Sequence, residues 1–460
     1  MNKRALTAFL ICLICCIACK SDNYVGLSLV PYGTVTDQIT LDIRAGFINE
    51  SKAEANFDVE LWLDEQTLLE KTNFILGGGV QNYCLKYSLP TANLCGDKQI
   101  TLKVWKNGKL IRTERENFKV IPSNLRTDRQ IDGAWCGIYH WSEQEGLHWN
   151  KDIAKMSDSQ WKELVRAMHS IRMDAVVIQE VFRNQEYVGG HDMTLDTYTG
   201  KAFYPSKLYS ARMDNICAKD PVEAILSQAD ELDMKVMVGV GMWAWFDFSP
   251  MSLEWHKAVA KELWEMYGHH KSFYAFYISE ECDGSLTTYD PDPAVMQRRK
   301  AEIVHFFKEM KKYCATLAPD KPLMLATNSM NITQSLDVYP QLLQNLDILC
   351  PFGFARMPEN DLTGKEAADL LQSLCDDAGS HLWFDLEAFL FNPDMSLYPK
   401  PIDQIISELT LLDNFEKVLT YQFPGVFNDP NMSIQIGEDR TVQLFLDYKD
   451  YLKALDESNK

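Results

Sequence analysis

The stretch Ser272-Phe273-Tyr274-Ala275-Phe276-Tyr277-Ile278-Ser279-Glu280-Glu281-Cys282 decides how the chain is read. Its aromatic and β-branched residues from Phe273 to Ile278 suit a strand, and a helical pattern precedes it. Successive strand side chains point to opposite faces. Tyr274, Phe276 and Ile278 form a bulky apolar set suited to packing under helices. Ala275, Tyr277, Ser279 and Glu281 share the other face, so parity selects Glu281 over its neighbour Glu280 as the inward carboxylate. An isolated Glu-Glu pair just past a strand is ordinarily a solvated loop feature. The surrounding chain gives this one a different context.

From Ile131 onward, strand-like runs alternate with helix-like segments, the pattern of a parallel sheet. The strand candidates are Gly133–His140, Ala175–Phe182, Lys235–Trp243, Phe273–Glu281, Pro322–Asn328, Leu346–Phe354, His381–Phe389 and Val418–Pro424. Ser157 with Gln160, and Asp220 with Pro221 and Glu223, are helix starts with capping chemistry. Eight such units over residues 128–458 predict an α/β fold, a (β/α)8 TIM barrel with enlarged loops. An open sheet of seven or nine strands is the competing topology.

In a barrel of this kind the site lies where the strands end. On the seventh strand Leu382, Phe384 and Leu386 form the apolar outer set, leaving Trp383, Asp385 and Glu387 facing inward. Glu281 and Glu387 are then expected across the mouth from each other. Two opposed carboxylates are what glycosidic cleavage requires: one protonates the leaving oxygen, the other attacks the anomeric carbon or activates water. Asp385, Tyr277, Asn328, Gln179, Glu280, His140, Trp141 and Trp243 are the expected substrate contacts. Trp141, Trp243, Trp245, Tyr277 and Trp383 would form an aromatic rim for sugar rings. His269 and His270, at the closed end, read as surface residues. The histidines and acids lack ligand spacing such as HExxH, so no metal and no cofactor is expected. Long loops at Arg183–Asp214 (with Tyr187 and His191), Asp283–Ala294 and Phe391–Pro401 would wall the cleft.

Residues 24–123 read differently. Runs such as Phe57-Asp58-Val59-Glu60-Leu61-Trp62-Leu63 alternate with period two, and Lys106-Asn107-Gly108-Lys109 is a hairpin signal. About seven short strands without a helix predict a small immunoglobulin-like β-sandwich. It carries no catalytic constellation and is expected to brace the barrel.

The chain of 460 residues is 46% hydrophobic and 24% charged, with material for two cores. A net charge of -20 without a basic cluster beyond the N-terminus argues against a nucleic-acid partner. Residues 1–19 read as a targeting segment: Lys3 and Arg4, the uncharged run Ala5 to Ala18, then Ile17-Ala18-Cys19. The last three resemble a bacterial lipobox, with Cys19 as the lipidated residue and Lys20-Ser21-Asp22-Asn23 as a polar tether. A plain secretory signal is the alternative. No later run is long enough to span a bilayer, so the lipid would be the membrane attachment. Eight further cysteines are scattered singly, and Cys84 with Cys95 is the one pair close enough to suspect a disulfide.

Several segments together resemble one family. They are Ala134-Trp135-Cys136-Gly137, Tyr204-Pro205-Ser206, Asp220-Pro221, Met234-Lys235-Val236-Met237-Val238-Gly239, Tyr267-Gly268-His269-His270-Lys271-Ser272-Phe273 and Tyr277-Ile278-Ser279-Glu280-Glu281. They resemble the glycosidase-like TIM-barrel lipoproteins catalogued as domain of unknown function 4434, over roughly Ile131 to Pro424. The family pattern after the fourth-strand Tyr-Ile is Pro, a variable residue and Glu. Ser279 stands here in place of the Pro, and Glu281 matches the glutamate. The resemblance implies a carbohydrate substrate and an outer-membrane setting, on the periplasmic or cell-surface face. The leading expectation is a glycoside hydrolase with Glu281 and Glu387 as its catalytic pair. A glycan-binding lipoprotein on an inactive barrel, and a structural component without ligand, are the other readings.

Overall fold

The structure, a computed structural model, describes residues 23–79, 81–183, 193–208, 211–287 and 292–458. The leader with Cys19, and Tyr187 and His191 of the second long loop, lie outside the described residues. Among the described residues no helix is long and apolar enough to cross a membrane.

Eight antiparallel-rich strands come first, one more than expected. Asn23–Val30, Thr40–Asn49 and Gln81–Pro90 form a three-stranded sheet. Gly33–Thr36, Lys109–Ile121, Gly96–Lys106, Ala55–Leu63 and Thr67–Leu76 form a five-stranded one. Alternation decides which face is covered. Along Ala55–Leu63, Phe57, Val59 and Leu61 are buried, whereas Asp58, Glu60 and Trp62 are only partly covered. Phe47, Ile43, Leu102 and Val104 complete this core. At the hairpin, Asn107 and Gly108 both take positive φ (50° and 78°), which matches the two-residue turn their identities call for. Cys84 and Cys95 are both free thiols, so the suspected disulfide is absent.

The parallel strands then form a ring. Neighbours run in sequence order from Gly133–Cys136 through Ala175–Ile178, Lys235–Gly239, Phe273–Cys282 and Leu323–Thr327 to Ile348–Leu349. The seventh strand is interrupted at Trp383. His381–Leu382 pairs with the sixth strand, while Phe384–Glu387 pairs with the eighth, Val418–Tyr421, which returns to the first. Nine segments thus make one closed eight-strand barrel. Among the described residues a helix follows each of the eight strands, from Asp158–Ser170 to Asp439–Ser458, with a further short helix, Asn150–Ile153, after the first strand. Ser157 and Gln160 form a reciprocal capping box, and the Asp220 side chain accepts from the Glu223 amide.

Parity fails at one point on the decisive strand. Phe276 and Ile278 pack outward under the helices, and Ala275 and Tyr277 inward. Tyr274, expected outside, turns inward because the register with the third strand jumps from Val236–Phe273 to Met237–Ala275. A bulge puts two successive residues on one face. Tyr274 therefore lines the barrel floor, stacked on Trp383 with ring centroids 6.4 Å apart. Trp383 faces inward as expected but sits in this floor and not at the rim. Tyr32, from the sandwich, closes the floor from below at 5.3 Å from Tyr274 and 5.7 Å from Trp383.

Of the two histidines expected at the surface of this closed end, His269 is exposed and His270 is not. His270 is buried between Asp230 (Nδ1, 2.7 Å) and Glu223 (Nε2, 3.0 Å), pinning the helix Pro221–Leu232 to the start of the fourth strand. The ligating atoms of Glu223, His269 and His270 lie within 4.8 Å of one another. With both His270 nitrogens already bonded to carboxylates, the arrangement reads as a structural ion-pair bridge.

Candidate active site

The C-terminal strand ends enclose a cavity of about 320 Å³. Parity and strand length bring the side chains there: Tyr277, Ser279 and Glu281 from the fourth strand, Asp385 and Glu387 from the seventh, Tyr421 from the eighth. Gln179 and Asn328 close the second and fifth strands at the same wall, and Trp141 enters from the loop after the first.

Glu281 is gripped at one oxygen by the Trp245 indole N–H, 2.6 Å from Oε2. Burial pushes its carboxyl up to about 7. The Trp245 bond and Arg356 pull the other way, and Glu387 adds to the rise. Trp245 is itself stacked on Phe246 (5.1 Å) and tilted against Trp141 (6.1 Å), which fixes the indole over the carboxyl. Glu387 has a different partner. The Arg356 guanidinium donates from Nε to both of its oxygens, at 2.9 and 3.1 Å, and its second terminal nitrogen lies 2.8 Å from Oε1. This forked ion pair fixes the orientation of the carboxylate. The two acids therefore sit on one cavity in opposite company: one in apolar cover with a neutral donor, the other on a cation.

Two more acids share the space. Asp385, two residues before Glu387 on the same face, is 4% exposed, and its Oδ1 has no hydrogen-bond partner. Burial and then Glu387 raise its carboxyl well above the ordinary range, against the pull of the Tyr421 amide. Glu145 is raised to about 7 by burial and by Glu281. The remaining polar groups are held in place: the Tyr421 hydroxyl donates to Gln179 Oε1 (3.2 Å), and Ser279 Oγ accepts from the Gly241 amide (3.2 Å).

Three expected contacts do not reach the cavity. Glu280 points outward and is 1% exposed. Its carboxylate accepts the amides of Trp243 and Ala244 (the latter at 3.1 Å), so it fixes the turn after the third strand. Trp243 is carried outward by that turn, where it stacks on Tyr198 (5.1 Å) and lies tilted against Trp255 (5.8 Å) in the helical layer. His140 is fully buried, its Nδ1 accepting from the Ser142 amide, and burial lowers its pKa to about 3. As a neutral ring it shapes the loop that presents Trp141. Arg356 and Glu145 escaped the sequence reading because both lie on loops past the strand ends, where parity gives no direction. Phe352, Phe389 and Phe391 supply apolar wall in the same way.

No curated protein matches the sequence. Among solved structures, a provisionally assigned alpha-L-fucosidase from Bacteroides thetaiotaomicron VPI-5482 shares 18% identity at a TM-score of 0.51, over 72% of this chain and 95% of its own. A β-glucuronidase from Bacteroides uniformis aligns at 13% identity and TM-score 0.42, over 93% of this chain and 50% of its own. A β-galacturonidase from Eisenbergiella tayi aligns at 12% and 0.41, over 94% and 72%. The likeness to the first of these is one of fold. At the level of family the match is direct, because the model described as domain of unknown function DUF4434 covers residues 131–434. The chain belongs to that family.

Proposed function

We propose that the protein is a glycoside hydrolase acting on an oligo- or polysaccharide. The observation that carries this reading is the unequal treatment of two carboxyls on one cavity. Glu281 is pushed to about 7 by burial, and Glu387 is held on the Arg356 guanidinium. Environments that set apart the two acids of a pair assign their roles. Glu281, protonated, delivers its proton to the glycosidic oxygen as the leaving sugar departs. The Glu387 carboxylate attacks the anomeric carbon and forms a glycosyl-enzyme. Glu281, now a base, takes a proton from water, which attacks the same carbon and releases Glu387. Configuration is retained in such a double displacement. Trp141 and Trp245 offer flat apolar faces for the sugar, and Gln179, Asn328, Tyr277 and Asp385 offer it polar contacts. The provisional fucosidase assignment of the structure that shares this fold agrees with the reading.

The setting is part of the proposal. Lipidation at Cys19 would tether the chain to the outer membrane, with the sandwich bracing the barrel above it. The test is a polysaccharide panel incubated with detergent-solubilised full-length protein, reading new reducing ends and their anomeric configuration by NMR. Release by the wild type, lost in both Glu281→Gln and Glu387→Gln with folding intact, is the expected result. Full release by either variant overturns the role given to that residue. Binding without release by the wild type supports the inactive-barrel reading instead.

A further inference from the structure

The cavity is short of positive charge. Four carboxyls line it, Glu145, Glu281, Asp385 and Glu387, and among the described residues Arg356 is the only lysine or arginine on its wall. That guanidinium is engaged with Glu387 through three close contacts. The stretches 184–192, 209–210 and 288–291, outside the described residues, contain no lysine or arginine either. An acidic sugar entering here would lose its hydration with the wall's one cation already paired, and it would oppose every ionisation of the carboxyls around it.

A second observation says what the cavity accepts. Asp385 is more than nine-tenths buried, lines the cavity, and has Oδ1 without a partner. A buried polar atom left unpaired is costly, so a ligand group is the natural complement. A hydroxyl both donates and accepts, and so satisfies a carboxyl in either protonation state. A second carboxylate or a sulfate only accepts, so it can pair with the protonated carboxyl alone and repels the ionised one.

Resting on the glycosidase reading above, we infer that the sugar unit seated between Glu281 and Glu387 is uncharged, one of its hydroxyls bonds Asp385, and uronates and sulfated sugars are excluded.

Pairs of oligosaccharides of equal length test this: galacto-oligosaccharides against oligogalacturonides, and xylo-, manno- and cello-oligosaccharides against chondroitin sulfate oligosaccharides. Binding to the full-length wild type is followed by tryptophan fluorescence, since Trp135, Trp141 and Trp245 line the site, and sugar release is read in parallel. A neutral member should bind at least about 100-fold tighter than the acidic members. Glu145→Gln, with its fold checked by circular dichroism, should narrow that gap. Neutral binding without release keeps the inference and removes the hydrolase reading. Release of an acidic sugar keeps the hydrolase reading and overturns the inference. Equal binding of acidic and neutral members, or binding of none, overturns the inference as well.

Discussion

Acidic side chains are buried at both ends of the barrel, and those of Asp347 and Asp320 at one end meet the opposite treatment to those of Glu281 and Asp385 at the other. At the closed end, against the sandwich, burial would raise Asp347, but Arg44 (3.0 Å), Lys311 (3.2 Å) and Lys86 (3.3 Å) outweigh it and hold the carboxyl well below its ordinary range. Asp320 is treated likewise: Lys321 and the hydroxyls of Tyr24 and Ser28 (2.6 and 2.7 Å) overcome burial. At the mouth, burial raises Glu281, Glu145 and Asp385, and the rise survives. Desolvation is common to both groups, so compensation is what distinguishes Asp347 and Asp320 from the mouth acids; Asp132, at the closed end with Lys417 alone 2.7 Å away, still rises to about 7. The closed end spends its cations on joining two domains, and the open end leaves its acids poised for chemistry.

That contrast can be broken first at the mouth. Glu281→Gln and Glu387→Gln are expected to lower kcat by about 10²–10⁴ each while leaving the folded state intact, as measured by turnover beside thermal melts. Equal losses of stability would erase the distinction. At the closed end Asp347→Ala leaves Arg44 buried without its partner and is expected to cost about 3–5 kcal/mol in denaturant unfolding. Because the folded pKa of Asp347 is depressed, its contribution is present above the unfolded value and is lost as pH falls through the folded one. The difference between variant and wild type should therefore shrink in acid.

A smaller effect has the opposite sign. The folded pKa of Glu281 is raised, so ionising it costs stability progressively as pH climbs from an unfolded value of about 4.3 toward about 7. Glu281→Gln removes that cost. Its Tm should exceed the wild type's by about 2 °C at pH 8 and match it near pH 4. The smallest effect concerns the walls. Trp141→Ala, on a half-buried rim ring, should weaken oligosaccharide binding by up to about 10-fold with little change in Tm. Trp383→Ala, in the floor, should instead destabilise the barrel.

Much of this was legible in the chain, and the failures are local. Alternation from Ala275 to Glu281 and from Asp385 to Glu387 pointed the cavity acids correctly, because a strand buried on both faces leaves each side chain only two directions. Tyr274 broke the rule through a bulge visible only in the pairing with Val236 and Met237. Trp383 had the right face and the wrong height, since sequence parity carries no depth along the barrel axis. Glu280 and Trp243 answer to each other: the carboxylate captures the amides of the turn that swings the indole away. Arg356 ends a short 3-10 turn, Phe354–Arg356, and no pattern in Phe-Ala-Arg aims its guanidinium at Glu387.

The most direct measurement is the pH dependence of kcat/KM for sugar release, in the wild type and in Trp245→Phe. If a protonated Glu281 drives departure of the leaving sugar, activity falls on the alkaline side with an apparent pKa near 7. Loss of the indole bond then moves that limb to higher pH. Activity that stays level from pH 6 to 9, or a limb that Trp245→Phe leaves in place, would contradict the assignment of Glu281 as the acid.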